Sequence, residues 1–431
     1  MRFSTTAIAA ATGGTTHGAP AEVDGATQDS RAVMPGQLFV PIVAERDGHD
    51  FIGAARANGA SAYLTAREPQ DGSAIRVDDT LSALQALASM ARDRIEGPVV
   101  GITGSVGKTS TKDLLASVLR TTYATHASAK SFNNEIGVPL TLLNAPEDAQ
   151  AVIVEMGSRG IGHVAELCDI ARPTVGVITT VAAAHTGEFG SVETIAKAKG
   201  ELVECLPADG LAVLNGDVRL CRDLADRTSA RVITFGRSDE CDVQLVSVTL
   251  DDELRATIVL DTPWGRLEAQ PSTRGAHLAG NAAAAAAVGL WMGASTTDVS
   301  VGLATAELSP WRMEINRSSA GATIINDAYN ANPTSMRGAI DSLAALGHRR
   351  KIAVVGYMAE LGGDEIADHR SIAEYVRAAG AELVAVGTDL YDGEPVADPV
   401  AHIGTLDAET AILVKGSRSA GLEAVAGRLA Q

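Results

Sequence analysis

At 431 residues the chain exceeds one ordinary core, so two or three domains are expected. An apolar content of 46% fits a folded globular chain, and 53 Asp and Glu against 35 Lys and Arg give a net charge of −18, which excludes a surface built to hold nucleic acid. Four cysteines (Cys168, Cys205, Cys221, Cys241) without C-x-x-C spacing argue against a thiolate metal site or a disulfide framework and for a reducing cytoplasm.

Residues 1–95 read as a small α/β unit. Asp29-Ser30-Arg31 precedes Val33–Pro41, a turn into an apolar strand, and Glu45–Phe51 is a polar turn containing Asp47 and His49. Ile52–Asn58 predicts a short helix closed by Gly59, Ala60–Leu64 a strand, and Ser82–Arg94 a helix leading onward. Ser30 and Arg31 on their turn could hold a phosphate, although spacing alone favours a solvated arginine. No apolar h-region follows Met1, and the alanine run 282–287 is too short to span a bilayer, so neither export nor membrane insertion is expected.

The central unit, 96–305, is organised around one stretch. The β-favouring Val99, Val100, Ile102 and Thr103 run into Gly104-Ser-Val-Gly-Lys-Thr109, and Asp113–Leu119 then carries apolar residues at helical spacing. Strand, glycine turn, Lys-Thr and helix is the order a phosphate cradle needs. Glycines let backbone N–H groups turn inward, the helix N-terminus adds positive potential, and the Lys108 ammonium reaches the terminal phosphates. Thr109 is placed to ligate Mg²⁺. Ile102 stands where the strict Walker pattern has its first glycine, so the motif is the tighter Gly-x-x-Gly-Lys-Thr form.

Further apolar runs follow at Ala151–Glu155, Val175–Val181, Gly210–Asn215 and Arg231–Phe235, alternating with helical stretches. That alternation predicts a mostly parallel, doubly wound sheet. Ligands of such sheets gather outside the carboxyl ends of the strands, which brings Lys108, Thr109, Glu155 and His185 together as a hard-metal and phosphate site. Taken singly, Glu155 would be a capping or surface carboxylate and His185 a loop histidine. The alternation over about 243–270 predicts a hairpin in a sheet appended to this unit. After the hinge-like Ala306–Pro310, residues 306–431 contain strands at Thr323–Asn326, Lys351–Val355, Glu382–Val386 and Ala411–Val414. They form a second, Rossmann-like α/β unit without a phosphate loop.

Together these motifs resemble the Mur ligase family, specifically its MurF type, over essentially the whole chain. Asp29-Ser-Arg31, Pro35–Phe39 and Asp47–Phe51 are similar to the uridine-nucleotide unit, which implies substrate contacts from Ser30, Arg31, Asp47 and His49. Thr103–Thr109 is similar to the family's ATP loop, implying that Gly104, Ser105, Val106, Gly107, Lys108, Thr109 and Ser110 hold the nucleotide. Ser131–Pro139 resembles the segment facing the muramoyl substrate, through Asn133 and Asn134. Glu155-Met-Gly157 and His185 match the metal ligands, and Lys199 in Ile195–Glu201 matches the lysine that is carbamylated. In Gly275–Asn281, Leu278 replaces the first asparagine of the motif, so Asn281 alone carries over. Asp327–Pro333 with Ser335-Met336 is a MurF-like signature that brings in Asp327, Tyr329, Asn330 and Asn332, and Lys415–Arg418 also fits. Ser309–Glu314 stands where a Gly-Arg-rich segment is usual, with Arg312 matching the nucleotide-contacting arginine. Tyr357 replaces an aspartate in Val355–Gly362.

The resemblance implies an ATP-dependent amide ligase of cytoplasmic peptidoglycan precursor synthesis, adding D-alanyl-D-alanine to UDP-N-acetylmuramoyl-tripeptide (UDP-MurNAc-tripeptide) through an acyl phosphate. It implies two Mg²⁺ ions, one on Thr109 and Glu155, the other on His185 and carbamylated Lys199. A monomer is expected, acting on small molecules, with 1–95 binding the uridine nucleotide, 96–305 binding ATP, and 306–431 binding the amine and closing on ATP. The rival readings are a MurE-like or paralogous ligase for another amine, whose Asp-Asn-Pro-Arg type of motif is absent here, and a nucleotide-binding regulator that has lost ligation.

Overall fold

The computed structural model describes residues 1–128, 131–182 and 189–431. Its largest sheet has nine strands. Seven of them are parallel neighbours: Thr125–Ala127, Ala151–Glu155, Val99–Thr103, Val175–Ile178, Leu211–Asn215, Arg231–Gly236 and Val243–Leu250. Val99–Thr103 and Ala151–Glu155 are buried at every position, so they read as continuous apolar runs rather than alternating ones.

The expected appended sheet is the edge of this same sheet. Val243–Leu250 pairs in parallel with Arg231–Gly236, and Ala256–Asp261 and Leu267–Ala269 then return antiparallel. Continuing the ladder satisfies edge backbone groups that a separate sheet would leave exposed. The strand expected over Val175–Val181 stops at Ile178, because the following residues bend to meet the glycine turn, Ser105 N donating to Thr180 O at 2.9 Å.

Helix Lys108–Arg120 begins five residues before its apolar period, since the glycine turn winds directly into its first turn. It buries Leu114, Leu115, Val118 and Leu119 against helices Ala279–Trp291 and Thr296–Ala304. Alanines 282–287 are all fully buried, and their small side chains let these helices approach closely.

The first unit is a five-stranded sheet in the order Thr15–His17, Ala74–Arg76, Ala62–Thr65, Leu38–Phe39, Ala26–Thr27. Leu38–Phe39 and Ala62–Thr65 fall on the two strands expected, whereas the other three, of two or three residues, carry too little periodicity to be read in advance. Its core does not end at residue 95. One buried cluster runs from Phe3, Leu38 and Leu84 through to Val138, Val152 and Leu167. Asn144 clips the same junction, its Nδ2 donating to Ala26 O at 2.8 Å and its Oδ1 accepting from Ala26 N at 3.1 Å.

The last sheet runs Glu314–Arg317, Thr323–Asp327, Thr410–Lys415, Arg350–Gly356, Glu382–Val386, with only the first strand antiparallel. Register places Asp327 beside Lys415 at its carboxyl edge. Among the described residues no helix is long and apolar enough to cross a membrane.

Candidate active site

The glycine turn is shaped by what presses on it. Gly104 has φ 149°, and a Cβ there would lie 1.9 Å from Thr179 Oγ1; Gly107 has φ 88°, and a Cβ there would lie 2.5 Å from Asn281 Oδ1. Both positions require glycine, and Asn281 belongs to the wall of the site. Thr179 Oγ1 donates to Val106 O at 2.6 Å, and Ser105 Oγ donates to Ala182 O at 2.9 Å. Lys108 Nζ donates to Gly104 O at 2.8 Å, and burial pushes its proton affinity down. Ser110 is buried in the first turn of the helix.

Parallel register sets Glu155 level with Ile102, two residues before the turn begins at Gly104. Its carboxylate is 1% exposed and fully engaged. Oε2 accepts from Thr109 Oγ1 at 2.8 Å, and Oε1 from Asn133 Nδ2 at 2.9 Å. Across the domain junction Arg312 Nη2 donates to Thr109 Oγ1 at 2.9 Å and to Ser131 Oγ at 3.4 Å, with its guanidinium 4.2 Å above the Tyr329 ring. Arg312 Nε is buried with no hydrogen-bond partner among the described residues.

Lys199 lies on helix Val192–Glu204 and is 2% exposed. Burial first, and then the charge of Lys108, bring its pKa down to about 7. Its Nζ reaches Ser158 Oγ at 3.5 Å. Two residues on, Glu201 accepts from Gly162 N, Val164 N and Ala165 N at 2.6, 3.1 and 3.0 Å, capping helix His163–Ala171. That cap, missed in the sequence, fixes the wall opposite Lys199; its only local signal is a carboxylate one short step along the same helix.

On the C-terminal side Asp327 Oδ1 accepts from Met313 N at 3.1 Å, and Oδ2 from Lys415 Nζ. Lys415 also donates to Asn330 O at 2.9 Å, so the charge pair holds the Tyr329-Asn330 turn in place. A cavity of about 350 Å³ gathers the turn 105–110 with Asn281, Arg312, Asp327, Tyr329 and Asn332. A larger one, about 790 Å³, joins Lys108, Asn133, Asn134 and Lys199 to Tyr329 and Asn330.

Other expectations need correction or lie elsewhere. His49 is 3% exposed, its Nδ1 bonded to Asp47 Oδ1 at 2.6 Å and its Nε2 accepting from Ala66 N at 3.0 Å. Both ring nitrogens are thus bonded inside the fold. Asp47 is spent likewise, capping the turn through His49 N and pairing with Arg67. Arg31 is exposed and clamped by Asp29 at 2.9 and 2.8 Å, and Ser30 O takes the amide of Asn58. None of these four lines either cavity. Asn332 Oδ1 caps helix Pro333–Ala345 through Ser335 N at 2.9 Å, and Asn134 Oδ1 accepts from Gly137 N at 2.9 Å, so each also shapes backbone. His185 lies outside the described residues.

This arrangement has known relatives. Residues 102–289 match the Mur ligase middle domain, and 311–431 the Mur ligase, glutamate ligase domain. The UDP-N-acetylmuramoyl-tripeptide–D-alanyl-D-alanine ligase of Mycobacterium tuberculosis (strain H37Rv) is 38% identical over 93% of this chain and 91% of its own length. That of Escherichia coli K12 is 35% identical over 96% and 95%. Among solved structures, MurF from Acinetobacter baumannii superposes with a TM-score of 0.88 at 27% identity, covering 100% of this chain and 99% of that one. MurF ligase from Thermotoga maritima in complex with ADP gives 0.81 at 26%, covering 94% and 97%. The chain belongs to the Mur ligase family, and within it to the MurF type.

Proposed function

We propose that this chain joins D-alanyl-D-alanine to UDP-MurNAc-tripeptide at the expense of ATP. The observation that carries the reading is one continuous site in which Lys108 and Thr109 of the phosphate loop, with Glu155 from the neighbouring strand, face Lys199 on one side and Arg312 and Tyr329 of the last unit on the other. On this reading 1–95 holds the uridine nucleotide, 96–305 holds ATP, and 306–431 brings the amine. The same reading takes the chain to act as a monomer, on the substrates of a cytoplasmic precursor enzyme.

A carboxylate at neutral pH is a poor electrophile, so it must first be activated. The terminal carboxylate of the tripeptide attacks the γ-phosphorus of ATP, the bond to the β–γ bridging oxygen breaks, and ADP leaves. The dipeptide amine then adds to the acyl phosphate, its surplus proton departs, and expulsion of phosphate leaves the amide. Lys108 and Arg312 place fixed positive charge where the transferring phosphoryl group spreads negative charge. The C-terminal wall excludes water, which would otherwise hydrolyse the acyl phosphate.

The donor set also fits Mg²⁺. Thr109 and Glu155 are hard oxygen donors 2.8 Å apart, and the spot already accepts a cationic group, the Arg312 guanidinium. Bound there, Mg²⁺ would supply neutralisation of phosphate charge. Lys199 would hold a second ion with His185 only as its carbamate, since a bare ammonium repels a cation. Burial favours that chemistry. An amine with a pKa of about 7 is substantially neutral at pH 7, the form that adds to CO₂, and the anion that results relieves repulsion from Lys108. Phosphate release, measured with ATP and UDP-MurNAc-tripeptide with and without D-alanyl-D-alanine, tests the reading. Release that needs both, with the pentapeptide mass in the product, is expected; tripeptide-dependent release without that mass would move the amine elsewhere.

A further inference from the structure

The loop after strand Arg350–Gly356 is where the family pattern changes, with Tyr357 in place of an acidic residue. Tyr357 is absent from the walls of both cavities. Its ring stacks on His369 with centroids 5.5 Å apart, and its hydroxyl donates to Glu365. His369 is fully buried and accepts from Met358 N at 3.0 Å. The other flank of the loop is tied to the last strand, Ser417 N donating to Tyr357 O at 2.9 Å and Ala359 N donating to Ser417 Oγ at 2.8 Å. Met358 and Leu361 are both buried.

These anchors hold Glu360 at φ 69°, a left-handed conformation that a residue with a long side chain keeps only where its surroundings impose it. The result is a carboxylate on the wall of the 790 Å³ cavity, facing the central unit. It lies near enough to Lys108 for its charge to offset part of the burial that lowers that lysine's proton affinity. Among the described residues lining this cavity from the C-terminal sheet, Glu360 is the one carboxylate and Arg418 the one guanidinium. Arg418 is steadied by Glu423 and by the Trp311 ring, 4.4 Å from its guanidinium carbon.

An unmodified dipeptide at neutral pH is a zwitterion, with an ammonium at the end that must react and a carboxylate at the other. We propose that Glu360 and Arg418 receive these two ends, the ammonium at Glu360, toward Lys108 and Lys199, and the carboxylate at Arg418. The assignment rests on the ligase reading and extends it to the residues that select the amine.

Steady-state kinetics on the full chain test it. In Glu360→Gln the KM for D-alanyl-D-alanine should rise about 10-fold or more, as a charged hydrogen bond is lost, while the KM values for ATP and UDP-MurNAc-tripeptide stay within about 2-fold. Glu360→Asp should recover part of the loss, and equal melting temperatures show that the variants are folded. The C-terminal amide of the dipeptide should be a poorer substrate than the free acid for the unaltered chain, and Arg418→Gln should erase that preference. A rise in the KM for ATP in place of that for the dipeptide would make Glu360 a partner of Lys108 and overturn the assignment, as would unchanged KM values. If the unaltered chain shows no dipeptide-dependent turnover, the ligase reading itself falls, and the assignment with it.

Discussion

The central and C-terminal sheets share a plan, parallel strands wrapped by helices, yet their carboxyl edges work differently. At the end of Val99–Thr103 the chain strips away side chains, so that backbone N–H groups and a helix N-terminus face the ligand. At the ends of Thr323–Asp327 and Thr410–Lys415 it places a buried ion pair instead, and that pair holds the turn carrying Tyr329 and Asn330. One edge binds by exposing backbone; the other positions by neutralising side chains. The first is therefore intolerant of added atoms, the second of lost charge.

The comparison can be broken most severely at Lys108. Lys108→Ala should lower kcat about 1000-fold with little change in melting temperature, because the ammonium serves the phosphates and its removal relieves a buried charge. A variant retaining more than a tenth of the activity would place the phosphate charge elsewhere. On the other edge the loss should be one of stability. Lys415→Met leaves Asp327 buried and unpaired and should cost about 3 kcal/mol in denaturant unfolding, with Asp327→Asn combined with Lys415→Met recovering part of it.

Lys199 gives a smaller effect with a defined pH dependence. Its folded pKa, about 7, is below the ordinary lysine value of 10.5, so between those limits the unfolded chain holds a proton that the folded chain has released. Stability then rises with pH across that window, and below it the burial cost is felt in full. Lys199→Met should accordingly melt higher than the unaltered chain near pH 6.5 under CO₂-free buffer, with the difference shrinking towards pH 9, while ligation is lost. A difference that grew with pH would contradict the buried amine. Smallest is Asn332→Ala, which removes the cap of helix Pro333–Ala345 and should cost about 1 kcal/mol.

How far the site could be read in advance follows from how local each feature is. Gly104, Gly107, Lys108 and Thr109 were legible because the cradle is made by successive residues whose backbone conformations their own chemistry permits. Asp47 and His49 were legible as a motif, but that their side chains bond to each other within the turn is visible only in the structure. Three of the five short strands of the first sheet gave no period, and its core merges with the central one through contacts that no run of residues announces.

What the sequence determined by itself is the phosphate loop, the alternation that makes doubly wound sheets, and the family resemblance carried by contiguous motifs. Tertiary structure decided which distant groups meet. Parallel register brings Glu155 to Thr109, the domain junction lays Arg312 on the same hydroxyl, and strand pairing sets Asp327 against Lys415. Lys199 looks like any helical surface lysine until packing buries it, and that burial, by making its charge costly, loosens its hold on the proton.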